Sequence, residues 1–350
     1  MRLRTTSPRP ASELSPAWCV ALDDNVSALA VDPQGKLAVV GTMSGTALAL
    51  RLDGSIVREL PEHPLGSSAA AWSNDGEHFA TGGQDGRTRL YSRAACADPT
   101  VPPTASIERK GWVASLCWSP RADHLAAIVG KTVLVIAVDG SLVLEQAAHA
   151  STLTGVAWSV DGSRVGVSCY GGVTWYEVAD PAAPPKVFAW KGSLLSLDVA
   201  PNGKFVAGGC QDAAVHVWRL WSGDDFQMSG YPAKVEHVAW DHTGRFMAVG
   251  NVGEVTVWDY SGRGPQGTRP TQLDGHDRHV SALAFQHRGG LLASGGADGL
   301  VMVWDPPKRS APLHSVELSE GVASAAWGAN DQFLLVGTEL GQVLRFDLPT

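Results

Sequence analysis

The chain has 350 residues, 44% of them apolar and 18% charged, with 39 glycines and 21 prolines to supply turns. Its net charge of −8 lacks the overall basic footprint of a duplex nucleic-acid binder, so no nucleic acid is expected as a partner. No apolar run approaches the roughly 18 residues that suggest a membrane span, and no membrane association is expected.

In chain order, residues 1–13 (MRLRTTSPRPASE) are rich in Arg, Ser and Pro and have no apolar stretch of a secretory signal. They are expected to form a disordered tail, which leaves 14–350 as a single domain. Residues 17–22 (AWCVAL) are predicted to be a lone strand. Eight three-strand units follow, with first strands starting near Val26, Ser68, Val113, Leu153, Leu194, Val235, Val280 and Val322. The starts are about 40 to 45 residues apart, the blade period of a β-propeller. A fourth strand lies between units, as at 56–60, 106–109, 142–146, 186–189 and 314–318. The eighth unit ends at 344–348 with no residues left for its own fourth strand, and the orphan strand 17–22 can supply it. Pairing the two chain ends removes two exposed sheet edges. The expected fold is all-β: a propeller of eight four-stranded antiparallel blades, the last closed by an N-terminal strand.

Two columns emerge when the first strands are aligned. One is small (Ala30, Ala71, Cys117, Ala157, Asp198, Ala239, Ala284, Ala326), as expected where strands crowd round an axis, and Asp198 is its exception. A carboxylate there must find hydrogen-bond donors or shift its pKa upward. The next column is large and includes Trp72, Trp118, Trp158, Trp240 and Trp327; it is expected to form inter-blade core rather than a ligand cage. The five cysteines include no CxxC pair, which argues against a structural zinc site and fits a reduced, cytoplasmic setting.

The clearest unit, LDGHDRHVSALAFQHRGGLLASGGADGLVMVWDP at 273–306, opens on Gly275-His276, carries Asp298 in its second turn and closes on Trp304-Asp305. This pattern resembles the WD-repeat family. The resemblance implies a structural tetrad of His276, Ser294, Asp298 and Trp304: Asp298 takes the imidazole proton, His276 reaches the Ser294 hydroxyl, and that hydroxyl accepts from the indole. A second tetrad is expected at His63, Thr81, Asp85 and Tyr91, with Tyr in place of Trp. Blade five keeps Asp212 and Trp218, with Trp190 in the His position and Gly208 in the Ser position; blade four keeps His149, and blade six Trp258-Asp259.

The resemblance also implies that partners dock on the top face, made by the loops entering each first strand and joining each second strand to the third. Trp112, Lys191, Tyr231, Lys234, Arg278 and His279 are the partner-binding candidates there, being of types that dominate interface energetics. The functional expectation is a non-catalytic scaffold that presents the top face to a protein or peptide, as a monomeric propeller within a complex, with no catalytic residue, cofactor or metal. The alternative is a propeller enzyme, lactonase-like or quinoprotein-like, with a site in the central channel near Asp198. A third reading is a subunit that contributes structure alone.

Overall fold

The computed structural model describes residues 10–121, 123–146, 149–262 and 264–349. These form eight blades, and their strands are antiparallel except for one short outer addition. Blade three shows how the sequence makes one. The apolar runs His124–Val129 and Thr132–Ala137 pair from Val129 opposite Thr132 to His124 opposite Ala137, joined by Gly130 and Lys131 in a two-residue turn. Gly130 holds φ at +58°, the left-handed region that such a turn requires. Val113–Trp118 flanks this hairpin toward the axis and Leu142–Gln146 flanks it outside. The central two strands are buried on both faces, which explains why they are continuously apolar rather than alternating.

In blade four the second and third strands are one element, Arg164–Glu177, which turns back at Gly171 and Gly172. Thr271–Phe285 similarly serves two blades: its first half is the outer strand of blade six and its second half the inner strand of blade seven.

Inner strands of successive blades contact one another round the ring, through to Val322–Trp327 of blade eight against Ala28–Val31 of blade one. Two sets of hydrogen bonds stitch these seams. The Trp118, Trp158 and Trp327 indoles donate to the carbonyls of Ala71, Cys117 and Ala284 at 3.2, 2.9 and 2.9 Å. Each bond therefore runs from the large column of one blade to the small column of the preceding blade. A hydroxyl set points the other way: Ser27, Ser68 and Thr154 donate to the carbonyls of Ser67, Val113 and Leu194 at 2.6, 2.7 and 2.8 Å. Ser281 does the same to Val322, and Ser324 donates to Val26 at 3.0 Å across the closing seam. The tryptophans of the large column are buried, with Trp72, Trp118, Trp158, Trp240 and Trp327 all less than a tenth exposed.

The N-terminal strand closes the ring. Pro16–Ala21 pairs antiparallel with Gln342–Asp347, setting Cys19 opposite Leu344 and Val20 opposite Val343. The expected tail is corrected in part. Residues 1–9 lie outside the described residues, but Ser12–Glu13 forms a parallel pair with His314 and Ser315 on the outer edge of blade seven. Ser12 Oγ lies 2.6 Å from His314 Nδ1, and Leu14 is buried beside blade eight. The segment is anchored because an unpaired outer strand offers backbone partners and Leu14 has an apolar site to fill. Relative to a chain lacking residues 1–9, one lacking 1–23 should melt at a markedly lower temperature, since blade eight then loses a whole strand. Equal melting temperatures in calorimetry would contradict the closure.

Candidate functional site

The top face is built on loops held by the strand ends. In blade seven, His276 Nδ1 lies 3.1 Å from both Asp298 oxygens, and its Nε2 lies 2.8 Å from Ser294 Oγ. Trp304 Nε1 donates to the same hydroxyl at 2.9 Å. Burial works against the Asp298 charge, but the His276 contact and the N–H groups of Asp277 and Leu300 hold its carboxyl at about 2. The chain of bonds ties the loop entering blade seven to the loop between its second and third strands. His276 and Asp298 thus set the shape of the rim from beneath it.

Blade two is locked differently. His63 reaches Asp85 at 2.9 Å and Thr81 at 3.0 Å. Tyr91, expected to complete the tetrad, does not: its buried hydroxyl has no partner among the described residues, and its ring stacks on Phe79 at 4.7 Å. The phenol lacks an N–H at the place where an indole presents one. Buried Arg89 lies against the His63 ring instead, within 3.0 Å of both its nitrogens. Burial, aided by the Arg89 charge, lowers the His63 pKa.

Tyr231 is also corrected. Offered as a rim contact, it is half-buried, with its hydroxyl accepting from Trp258 Nε1 at 3.0 Å and lying 3.3 Å from Thr256 Oγ1. It locks blade six in the way that His276 locks blade seven, a role hidden from the motif because Tyr stands where His is sought. In blade five Trp190 stacks on His216 with centroids 3.8 Å apart, and His216 Nε2 meets Asp225 at 2.7 Å.

Of the remaining rim candidates, Trp112 is 63% exposed. Its loop is pinned where Gly111, at φ +114°, packs on Gly130 so closely that a Cβ would meet the Gly130 Cα at 2.7 Å. Lys191 and Arg278 are exposed. Lys234 and His279 come together on Glu236, at 2.8 and 3.0 Å, so their charge is locally balanced. Burial opposes ionisation of Glu236, but Lys234 and His279 hold its pKa below the ordinary value. Beside them, burial first and His279 second push His237 down to about 4.

Sequence reasoning missed the apolar content of this face. Among the described residues ten large apolar side chains are exposed, and six of them stand at the top: Met43, Leu65, Trp112 and Leu340 on loops, and Tyr170 and Val252 in strands beside the turns of blades four and six. On the opposite face a pocket of about 140 Å³ is lined by Arg164, Trp175, Glu177, Pro184, Lys186 and Trp221. Its cations are already committed: Arg164 pairs with Glu177 and lies 4.4 Å over the Trp221 ring, while Lys186 donates to the Trp221 carbonyl.

Asp198 is half-buried in the channel wall and finds two donors, the N–H of Val199 at 2.8 Å and that of Trp240, across the seam, at 3.1 Å. Burial nonetheless pushes its carboxyl up to about 7. One oxygen is thus held by its own strand and the other by the inner strand across the seam, and the group acts as a clip between blades five and six.

Three stretches, residues 54–92, 184–219 and 267–305, match the family described as WD domain, G-beta repeat. Each begins near the outer strand of one blade and ends with the third strand of the next, in blades two, five and seven. These three stretches are WD repeats, and the fold of the chain is a β-propeller. It is 24% identical over 304 residues to Actin-interacting protein 1 of Drosophila melanogaster, a match covering 81% of this chain and 48% of the relative. The chain thus spans half or less of the length of the curated relatives it matches. Among solved structures, the C-terminal WD40 domain of Sif2 superposes with a TM-score of 0.80 at 17% identity, covering 97% of this chain and 99% of that one. Sqt1 from Chaetomium thermophilum gives 0.83 at 19% identity, covering 96% and 100%.

Asp298→Ala should destabilise the protein by roughly 1–3 kcal/mol, since it strands buried His276. Asp212→Ala, at an exposed carboxylate, should cost less in the same denaturant melts. Because the folded Asp298 pKa is depressed, its contribution is complete above about pH 4 and is lost as pH falls toward about 2. Asp298→Asn should lack this acid dependence. Asp198 has the opposite sign. Between about pH 4 and 7 the folded state keeps a proton that the unfolded chain has released, so stability falls as pH rises through that window. Asp198→Asn should shrink the difference between melting temperatures at pH 5 and pH 8; an unchanged difference would contradict the shift.

Proposed function

We propose that the protein is a non-catalytic scaffold whose top face engages a protein or peptide. The concentration of exposed large apolar side chains on that face, headed by Trp112, carries this reading. Single exposed apolar residues are ordinary on any protein, but their gathering on one set of loops over a stiff ring is the mark of a contact surface. The names of two relatives, Actin-interacting protein 1 and the Anaphase-promoting complex subunit cdc20 of Dictyostelium discoideum, describe proteins that act with other proteins, which supports the same reading here. Trp112, Lys191, Lys234, Arg278 and His279 are the proposed contacts. Tyr231 serves beneath the rim instead.

The channel is the weaker site for chemistry, since both Asp198 oxygens accept backbone N–H groups and its geometry is that of a structural clip. We further propose that the chain acts as a monomeric propeller within a complex and resides in the cytoplasm. In support of the latter, all five cysteines are free thiols, and burial raises Cys96, Cys117 and Cys210 to between about 11 and about 12.

Removing a central aromatic or Arg anchor commonly costs about 2 kcal/mol of binding, roughly thirtyfold in affinity. Trp112→Ala combined with Arg278→Ala should therefore abolish capture of a bound protein from a lysate and leave the melting curve almost unchanged. Asp198→Asn should retain capture. Loss of capture in Asp198→Asn with full capture by the rim variant would contradict the proposal.

A further inference from the structure

The top face is divided by charge. In blades eight, one and two its loops, residues 318–321, 338–342, 22–25, 42–46, 60–66 and 84–86, contain no Lys or Arg and present Asp23, Asp24 and Glu339 among their acidic residues; Arg87, which follows the last of them, pairs with Glu108 at 2.9 Å. The basic rim residues lie outside this arc: Lys110 and Lys131 on blade three, and Lys191, Lys234 and Arg278 on blades five to seven. The acidic side also holds three of the exposed apolar side chains: Leu340 at 73%, Leu65 at 66% and Met43 at 43%.

These three stand on loops that touch in succession. Leu22 N–H donates to Gly341 O at 2.7 Å, and a Cβ on Gly341 would meet the Asp24 carbonyl at 2.9 Å. Met43 N–H donates to Asn25 O at 2.9 Å, and a Cβ on Gly66 would meet the Met43 carbonyl at 2.7 Å. Loop positions are fixed as well. Glu320 accepts from Thr338 Oγ1 at 2.7 Å and from Leu340 N–H at 2.8 Å, while Asp23 accepts from Ser44 and Thr46 at 2.7 and 3.0 Å. Apolar side chains on braced loops lose little freedom when covered, so a partner gains more from burying them.

We propose that the arc formed by blades eight, one and two docks a partner peptide segment in which Lys or Arg flanks a large apolar side chain. The apolar side chain covers Leu340, Met43 and Leu65, and the cations meet Asp23, Asp24 and Glu339, which have no cation of their own loops beside them. Electrostatic complementarity of this kind sets orientation and rejects partners of the wrong charge. The same carboxylates repel nucleic acid and anionic bilayers. The inference rests on the top-face reading above and adds the partner's chemistry.

The test uses a random peptide library displayed on phage and selected on the full chain, with enriched peptides remade as fluorescein conjugates and titrated by anisotropy. Enriched sequences should place Lys or Arg beside Leu, Ile, Phe or Trp and bind more weakly as salt rises. Leu340→Ser and Glu339→Lys, both at exposed positions and checked by thermal melts, should each weaken binding about tenfold or more. Enrichment of acidic or uncharged sequences, or basic apolar peptides indifferent to both changes, would overturn the inference. If affinity instead falls only in the Trp112→Ala, Arg278→Ala variant, the top-face scaffold stands and this docking arc does not. If no enriched peptide responds to either set, both readings fall.

Discussion

The seam between neighbouring blades is the constraint on which this structure depends. A single twisted sheet of four short strands buries too little apolar surface to stand alone, so each blade must hand its faces to its neighbours. The indole of one blade's Trp seats on the small residue of the preceding blade and bonds to its carbonyl, as Trp118 does to Ala71 and Trp158 to Cys117. Small side chains in one column and large ones in the next are therefore two halves of a single contact. At the seam between blades five and six Asp198 stands in the small column, and its carboxylate takes the backbone N–H of Trp240. The Trp240 indole, like that of Trp72, is without a partner among the described residues.

The matched repeats run from the outer strand of one blade to the third strand of the next, which makes every repeat a staple across a seam. A chain made of such units leaves its last blade short of an outer strand and its first strand without a blade. Pairing of Pro16–Ala21 with Gln342–Asp347 resolves both, and the Ser324 hydroxyl on the Val26 carbonyl closes the inner ring. Ser12–Glu13 extends the same strap onto blade seven, so the N-terminal segment spans the outer edges of two blades.

Much of this was legible because β-propeller periodicity is carried by every blade: strand runs, turn glycines and the two first-strand columns recur at one spacing. The blade-seven lock was legible for the same reason, as its four residue types match a motif. Tyr231 was misplaced because a Tyr beside a loop reads as surface when its partner, Trp258, lies 27 residues away and is joined to it only by the fold. Tyr91 failed as a Trp substitute because the lock needs an N–H at the indole's position. The hydroxyl stitching could have been found by aligning one further column, Ser27, Ser68, Thr154 and Ser281. Met43 and Leu340 escaped notice because apolar residues in a strand-rich chain are assigned to strands. The signal was local: each sits within two residues of a turn glycine, Gly45 at φ +110° and Gly341 at φ +95°, where the chain reverses.

Function follows from stiffness and from what the loops carry. The ring commits its polar groups to holding itself together, Asp198 and Asp298 included, and leaves its exposed apolar residues concentrated on one face. That division between an inward-bonded frame and loops with exposed apolar side chains depends on the ring being closed as strongly as it is built. Native-state hydrogen exchange tests this most directly. The account predicts that the amides linking Pro16–Ala21 to Gln342–Asp347 exchange as slowly as those within blade three, and only through global unfolding. Much faster exchange in the closing blade, by local opening while blade three stays protected, would contradict it.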